Sequence, residues 1–206
     1  PAPTHDRPLR PLLLSADSPA ALDDAQQRLA DWIEADPRID MVDVAHTLMV
    51  GRRARRHRRV VVAGDRDHAV RTLCEPPTGR SHTHAHTDDA TNAVFLFPGG
   101  GAQYPRMAAG LHDTEPVFRH HLDAGIELLR DRHSIDLRPV LFAEAGDVAA
   151  AATAFERPSL QLPAIFLVEH ALAQTLIAKG VTPAAMLGHS VGENTAACVG
   201  GTMTFD

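Results

Sequence analysis

Gly188-His189-Ser190-Val191-Gly192 sets a hydroxyl nucleophile between two glycines, the G-x-S-x-G spacing of a nucleophile elbow. At such an elbow a strand enters, the chain turns sharply, and a helix leaves. The apolar run Ala184-Ala185-Met186-Leu187 suits the entering strand, and Glu193-Asn194-Thr195-Ala196-Ala197-Cys198-Val199 suits the helix. Gly188 and Gly192 leave room for the bend that lifts Ser190 into an exposed, strained position. The free N–H groups at the helix start favour an oxyanion there. The chemistry this spacing announces is acyl transfer. A serine hydroxyl is a weak nucleophile at neutral pH, so it also needs a base within hydrogen-bond reach and donors placed at the developing oxyanion.

The donors are readable. One is the backbone N–H of Val191, just after the nucleophile. The other comes from Pro98-Gly99-Gly100-Gly101-Ala102-Gln103, where a strand in character, Ala93-Val94-Phe95-Leu96-Phe97, runs into consecutive glycines that let backbone approach a negative charge closely. Loss of one such donor typically costs about 10²–10³ in rate. The base is not readable, because no histidine follows Ser190. His189 is expected to point away from Ser190 and to support the turn by packing or hydrogen bonding. His170 is expected as a core or surface histidine of a long helix. His112, His120, His121 and His133 have no carboxylate at a telling spacing.

These motifs need a frame. Glu115 to Arg130 is amphipathic, with Val117, Phe118, Leu122, Ile126 and Leu129 on one side. Leu160 to Lys179 reads as a long helix with Ile165, Val168, Leu172 and Ile177 inward, Pro163 in its first turn and Gly180 at C′. Strand, glycine loop, helices, strand, elbow and helix together describe half of an α/β sheet over residues 93–206. Ahead of it, residues 1–74 read as a small α+β unit. Leu9 to Ser15 is an edge strand. Ser18 caps a helix that Pro19 opens and Asp36-Pro37 ends, with Leu22, Ala25, Leu29, Trp32 and Ile33 at helical spacing. A second helix covers Met41 to Val50 with Val44, Leu48 and Met49 inward. Val60 to Ala63 is a strand, and Asp65 starts a short helix. The arginines at 52, 53, 55, 56, 58 and 59 read as a solvated helix end and turn rather than an anion or partner stripe. Residues 75–92 read as a flexible linker, and alternating His82, His84 and His86 make no metal site without a rigid frame and further ligands.

Composition narrows the function classes. With 206 residues, a formal net charge of −6, and one tryptophan and one tyrosine, the chain is not expected to bind nucleic acid. No apolar stretch is expected to reach the roughly 18–20 residues that span a bilayer. Cys74 and Cys198 are too few for a disulfide framework and fit a reducing cytoplasm, Cys198 as a core residue, and Pro1 to Asp6 lacks a signal-peptide layout.

Four segments in register carry a family resemblance. Phe95-Leu96-Phe97-Pro98-Gly99-Gly100-Gly101-Ala102-Gln103-Tyr104-Pro105, Thr114-Glu115-Pro116-Val117-Phe118, Gln161-Leu162-Pro163-Ala164-Ile165-Phe166 and Gly188-His189-Ser190-Val191-Gly192-Glu193 resemble the acyltransferase domain of type I modular polyketide synthases. Leu12 to Ala16, Asp43 to Leu48, Gly51 to Arg53 and His57 to Val60 resemble the ketosynthase-to-acyltransferase linker domain of the same enzymes. The resemblance implies a linker domain followed by the first part of an α/β-hydrolase-like acyltransferase sheet. It implies that Ser190 attacks the thioester of an acyl-CoA, and that the acyl group passes to the phosphopantetheine thiol of an acyl carrier protein. The N–H groups of Gly100 and Val191 would hold the oxyanion, although the family usually has glutamine at position 100. Val191 leans the choice of extender towards malonyl rather than methylmalonyl. Partners implied are the carrier protein and the ketosynthase of the same polypeptide, in a homodimeric parent. No metal or bound cofactor is implied. The family's catalytic histidine and carboxylate-binding arginine would lie beyond residue 206, which makes the fragment inactive alone. Two alternatives are a patatin-like serine lipid hydrolase, whose motifs sit much closer together, and a non-catalytic docking fragment.

Overall fold

The computed structural model describes residues 8–75, 81–85 and 93–205. The chain divides into two units between residues 90 and 91. In the first, β1 (Arg10–Ala16), β2 (His57–Ala63) and β3 (Ser81–Ala85) form an antiparallel sheet in the order β1-β2-β3. Pairing of Leu12 with Val61 puts Leu12, Leu14, Val61 and Ala63 on one buried face. The helices α1 (Pro19–Ala35), α2 (Met41–Val50) and α3 (Arg66–Cys74) add Leu22, Ile33, Val44, Ala69 and Leu73 to that core. Their starts follow from side chains that accept from otherwise unpaired N–H groups. Ser18 accepts from Ala21 at 3.2 Å, Asp40 from Val42 at 2.7 Å and Asp65 from His68 at 2.8 Å.

Four expectations for this unit are corrected. Trp32 is 54% exposed and Met49 50% exposed, because α1 turns Leu22, Ala30 and Ile33 to the core and leaves Trp32 about 100° round the helix from Ile33, and because Met49 falls in the last turn of α2. The span read as a flexible linker contains β3, whose polar alternation hides a strand that pairs along β2 from His57↔Ala85 to Val61↔Ser81. His82 and His84 lie on β3, and His86 lies outside the described residues.

Within the arginine run, Arg59 is a bracket rather than a solvated charge. It shares the core face of β2, and its guanidinium donates to Gln26 Oε1 at 2.6 Å, Asp23 Oδ1 at 2.9 Å and Thr83 Oγ1 at 2.8 Å, so it ties α1, β2 and β3 together. Arg59→Ala is expected to destabilise the 206-residue chain by about 1–3 kcal/mol, as charge-assisted bonds in a half-buried position do. Urea titration of the chain and the variant checks this. Arg55→Ala, whose ion pair with Asp17 is exposed on both sides, should shift stability by about 0.5 kcal/mol or less.

In the second unit, β4 (Ala93–Phe97) and β5 (Pro183–Gly188) pair in parallel, with Phe95 opposite Met186 and Phe97 opposite Gly188. Between them run α4 (Ala109–Thr114), α5 (Pro116–His133), α6 (Arg138–Leu141), α7 (Val148–Ala154) and α8 (Pro158–Ala178), and α9 (Val191–Val199) follows β5. The main core, with Phe118, Leu122, Ile126, Leu141, Phe155 and Leu167, forms where α5 meets α8. Gly125 permits that approach, since a Cβ there would stand 2.3 Å from Leu167. Phe95 and Phe97 pack on Ala173, Leu176 and Ile177, while Val94, Leu96 and Leu187 on the opposite face stay exposed.

Helix α8 departs from expectation in three ways. It begins at Pro158, so Pro163 sits beyond its first turn. It buries residues on several sides, Ile165, Leu167, Glu169, His170 and Ala173 among them, while Leu172 is 39% exposed. By length and composition it is also apolar enough to cross a membrane, contrary to the expectation of no such stretch, and here it is a core helix that packs on α5 and α9. Its end matches expectation. Gly180 at φ 88° closes it, with Gly180 N–H donating to Ile177 and Val181 N–H to Leu176. On α5, Val117 is 37% exposed although its spacing suggests the inner side.

Candidate active site

Ser190 stands between the end of β5 and the start of α9, exposed, with φ 54° and ψ −121°. Such a conformation costs a non-glycine residue about 1–3 kcal/mol and is held only by what surrounds it. The surroundings are close. A Cβ on Gly188 would lie 2.2 Å from the N of Glu193, so the strand end folds directly onto the first turn of α9. A Cβ on Gly192 would lie 2.2 Å from the carbonyl oxygen of Phe97 and 2.5 Å from that of Pro98. The helix start is thereby pressed against the end of β4. His189 N–H donates to the Phe97 carbonyl at 3.0 Å and carries the β4–β5 pairing one step past the strand.

The glycine turn after β4 comes to the serine as expected. A Cβ on Gly99 would meet His189 O at 2.8 Å and Ser190 Cβ at 2.9 Å. Within that turn Gly101 N–H donates to Gln103 Oε1 at 2.8 Å and Ala102 N–H to Gly99 O at 3.3 Å. In α9, Gly192 N–H donates to His189 O and Glu193 N–H to Ser190 O, both at 3.0 Å. The N–H groups of Gly100 and Val191 have no acceptor among the described residues. The Val191 donor and the exposed hydroxyl therefore stand free side by side, and the glycine turn reaches them at Gly99. Ser190 and Val191 open onto a cavity of ≈ 500 Å³ lined also by Leu162, Pro163 and Phe166 of α8, by Asn194 and by Met203. A larger groove of ≈ 620 Å³ on the first unit, around Leu29, Trp32 and Arg52, holds a serine, Ser15, whose hydroxyl is taken up by Arg53 O and Arg55 N–H.

His189 does not hydrogen-bond Ser190; its Nδ1 lies toward Gly99, where a Cβ would touch it at 2.8 Å. His170 is buried on α8 beside the rings of Phe166 and Phe205, 6.2 and 4.4 Å away by centroids. Burial first, and the neighbouring His121 second, push its pKa down to about 4, so it is neutral near pH 7. His121 is lowered too, by burial and then by His120. The expectation that no histidine has a carboxylate partner is corrected at His112. Its Nε2 pairs with Asp123 Oδ1 at 3.0 Å, a tertiary contact between α4 and α5 away from the cavity.

Sequence reasoning missed a buried polar pair. Glu169 on α8 is 9% exposed, and its Oε2 accepts from the Thr195 hydroxyl at 2.7 Å. Burial raises the Glu169 carboxyl above its ordinary range, with the Thr195 bond opposing. The signal was present: a lone carboxylate inside the apolar run from Phe166 to Ala173. The cavity residues Leu162, Phe166, Asn194 and Met203 carried no comparable signal.

A family model described as acyl transferase domain matches residues 94–206, and one described as CurL-like, PKS C-terminal matches residues 10–73. A phenolphthiocerol/phthiocerol polyketide synthase from Mycobacterium tuberculosis is 38% identical over 213 residues, which take in 96% of this chain and 14% of that protein. Among solved structures, the acyl transferase domain of ZmaA matches with a TM-score of 0.86 at 30% identity, over 98% of this chain and 46% of that one. The acyl transferase domain of SpnD in complex with 2-(pent-4-yn-1-yl)malonyl matches with a TM-score of 0.80 at 35% identity, over 96% and 45%. The chain thus spans about a seventh of the curated relative and just under half of each solved domain.

Proposed function

The chain belongs to the acyl transferase domain family as it occurs in type I modular polyketide synthases, and from that premise we propose that Ser190 carries a malonyl-type acyl group from coenzyme A to an acyl carrier protein. The observation that supports the reading is the meeting of an exposed, strained Ser190 with the free N–H of Val191 and with the glycine turn that reaches it at Gly99. Ser190 Oγ attacks the thioester carbonyl, and the oxyanion settles between the N–H groups of Gly100 and Val191. The general base takes the Ser190 proton, collapse expels coenzyme A as its thiol with that proton, and an acyl-serine is left. The phosphopantetheine thiol of the carrier then attacks the same carbonyl, and the serine leaves. Gly188, Gly192 and His189 support the turn. Glycine at position 100 suits the role, because only its main chain is used.

A malonyl derivative in the SpnD domain supports the malonyl class, and Val191 leans it towards malonyl itself. A patatin-like hydrolase is not favoured by the family that residues 94–206 match. No described histidine reaches Ser190, so the reading takes the general base from elsewhere in a longer polypeptide and expects these 206 residues not to turn over by themselves. The ketosynthase and carrier partners, a dimeric parent and a cytoplasmic setting belong to the same proposal.

Incubation of the full-length protein with malonyl-CoA, followed by intact mass and peptide mapping, tests it. The expected result is a malonyl adduct on the peptide that contains Ser190, discharged on addition of holo carrier protein. Competition with methylmalonyl-CoA should favour malonyl. An adduct elsewhere, or lipid-ester hydrolysis with no transfer to the carrier thiol, overturns the proposal.

A further inference from the structure

Two helices line the cavity beside Ser190, and each continues one turn deeper into the core. On α8 the lining residues are Leu162, Pro163 and Phe166; Glu169 follows Phe166 by three positions and so lies under the same face. On α9 the lining residues are Val191 and Asn194; Thr195 follows Val191 by four positions, one turn beneath it. At that depth the helices are joined by the 2.7 Å hydrogen bond from the Thr195 hydroxyl to Glu169 Oε2. Thr195 is fully buried, Glu169 nearly so, and Glu169 Oε1 has no partner among the described residues.

Packing alone does not ask for this pair. Leucine and valine would fill the two places with no polar atom to desolvate, and the neighbours on α8, His170 apart, are apolar. What the pair adds is direction. A charge-assisted or carboxyl hydrogen bond fixes the height and rotation of one helix against the other, which apolar contact leaves softer. The helix so fixed begins at Val191, whose N–H must stay registered with Ser190 and with the glycine turn that reaches it at Gly99.

We propose that Glu169 is a positioning residue for acyl transfer, acting through Thr195 to hold the start of α9 against α8. The proposal rests on the function assigned to Ser190 above and adds a residue that touches neither substrate nor nucleophile.

The test uses the full-length protein with Glu169→Gln, Glu169→Asp and the double variant Glu169→Leu/Thr195→Val. Glutamine keeps an acceptor at the same reach, so Ser190 acylation should stay within about threefold of the parent. The double variant removes both polar groups, so its urea midpoint should return near the parent's. Its kcat for acylation should nevertheless fall about tenfold or more with KM unchanged, and amide hydrogen exchange over residues 191–195 should quicken. Glu169→Asp, one methylene short of Thr195, should show the same two changes and serves if the double variant does not fold. Parental acylation together with parental exchange at 191–195 in these variants overturns the proposal. If the parent itself is not acylated by malonyl-CoA, the failure lies with the function assigned to Ser190. The exchange measurement then decides the role of Glu169 by itself: quickened exchange keeps it and unchanged exchange ends it.

Discussion

Gly192→Ala is expected to lower acylation of Ser190 by more than about 10²-fold, close to the floor set by Ser190→Ala. The added methyl would stand 2.2 Å from the carbonyl oxygen of Phe97 and 2.5 Å from that of Pro98. Both are backbone atoms, so no flexible side-chain end can yield. Phe97 O is also held by its bond from His189 N–H, and relief must come from moving the start of α9 away from the end of β4. That motion separates the Val191 donor from the Gly100 donor. Loss of one oxyanion donor alone costs about 10²–10³ in rate. Overpacking of this kind also removes about 1–3 kcal/mol of stability. Gly100→Ala is the contrasting variant. A Cβ there would meet only Gln161 Oε1 at 3.5 Å and carbons of Gln161 and Leu162 at 3.8 and 3.9 Å, ordinary contacts. Its acylation rate should stay within about threefold of the parent, because the site asks Gly100 for an N–H and not for the lack of a side chain. Quenched intact-mass kinetics on the full-length variants, with thermal unfolding alongside, measure both. Equal rates for Gly192→Ala and the parent would remove the close approach of α9 to β4 from the mechanism.

The contrast between these glycines shows which parts of the site a sequence can carry. Gly188 and Gly192 were legible because their spacing about Ser190 has one geometric use, and Gly99 because a glycine run after a strand suits a close approach, although Gly100 and Gly101 make none. Helix ends were legible for the same local reason, as Ser18, Asp65 and Gly180 each satisfy or release backbone groups near them. What was not legible depended on neighbours far along the chain. Helical spacing marks an apolar stripe but not which of its edges the rest of the fold covers, so Trp32, Met49, Val117 and Leu172 share the stripes' spacing and are nevertheless exposed. Ser81–Ala85 has no apolar alternation, and its order comes from the ladder that β2 offers. The pairs His112–Asp123 and Glu169–Thr195 join residues 11 and 26 positions apart, spacings with no local meaning.

Stability is expected to fall as pH drops from about 6.5 towards 4, with His170 as the main cause. In the fold this imidazole titrates at about 4, against 6.5 when free. Between those values the unfolded chain binds a proton that the folded chain refuses, so stability rises with pH across the window. The contribution is complete above about pH 6.5 and gone near pH 4. At 1.36 kcal/mol per unit it amounts to about 3 kcal/mol in full, and about 2 kcal/mol between about pH 7 and about pH 5. His121, with its ring 5.6 Å from that of His170, is lowered as well and adds in the same direction. Glu169 acts oppositely. Its raised carboxyl favours the fold at low pH, and that advantage is lost as pH rises past the ordinary glutamate range. Urea titrations of the parent and His170→Leu across this range separate the terms, since both proteins keep Glu169 and His121. The variant should lose about 2 kcal/mol less than the parent on going from about pH 7 to about pH 5, and parallel profiles would show that the buried imidazole is not the sensor. The same proton should reach the chemistry. Phe166 stacks on both His170 and Phe205 and also forms a wall of the cavity at Ser190. In the folded chain His170 takes up its proton only near pH 4, so acylation by the parent should decline there, and His170→Leu should hold its rate further into acid.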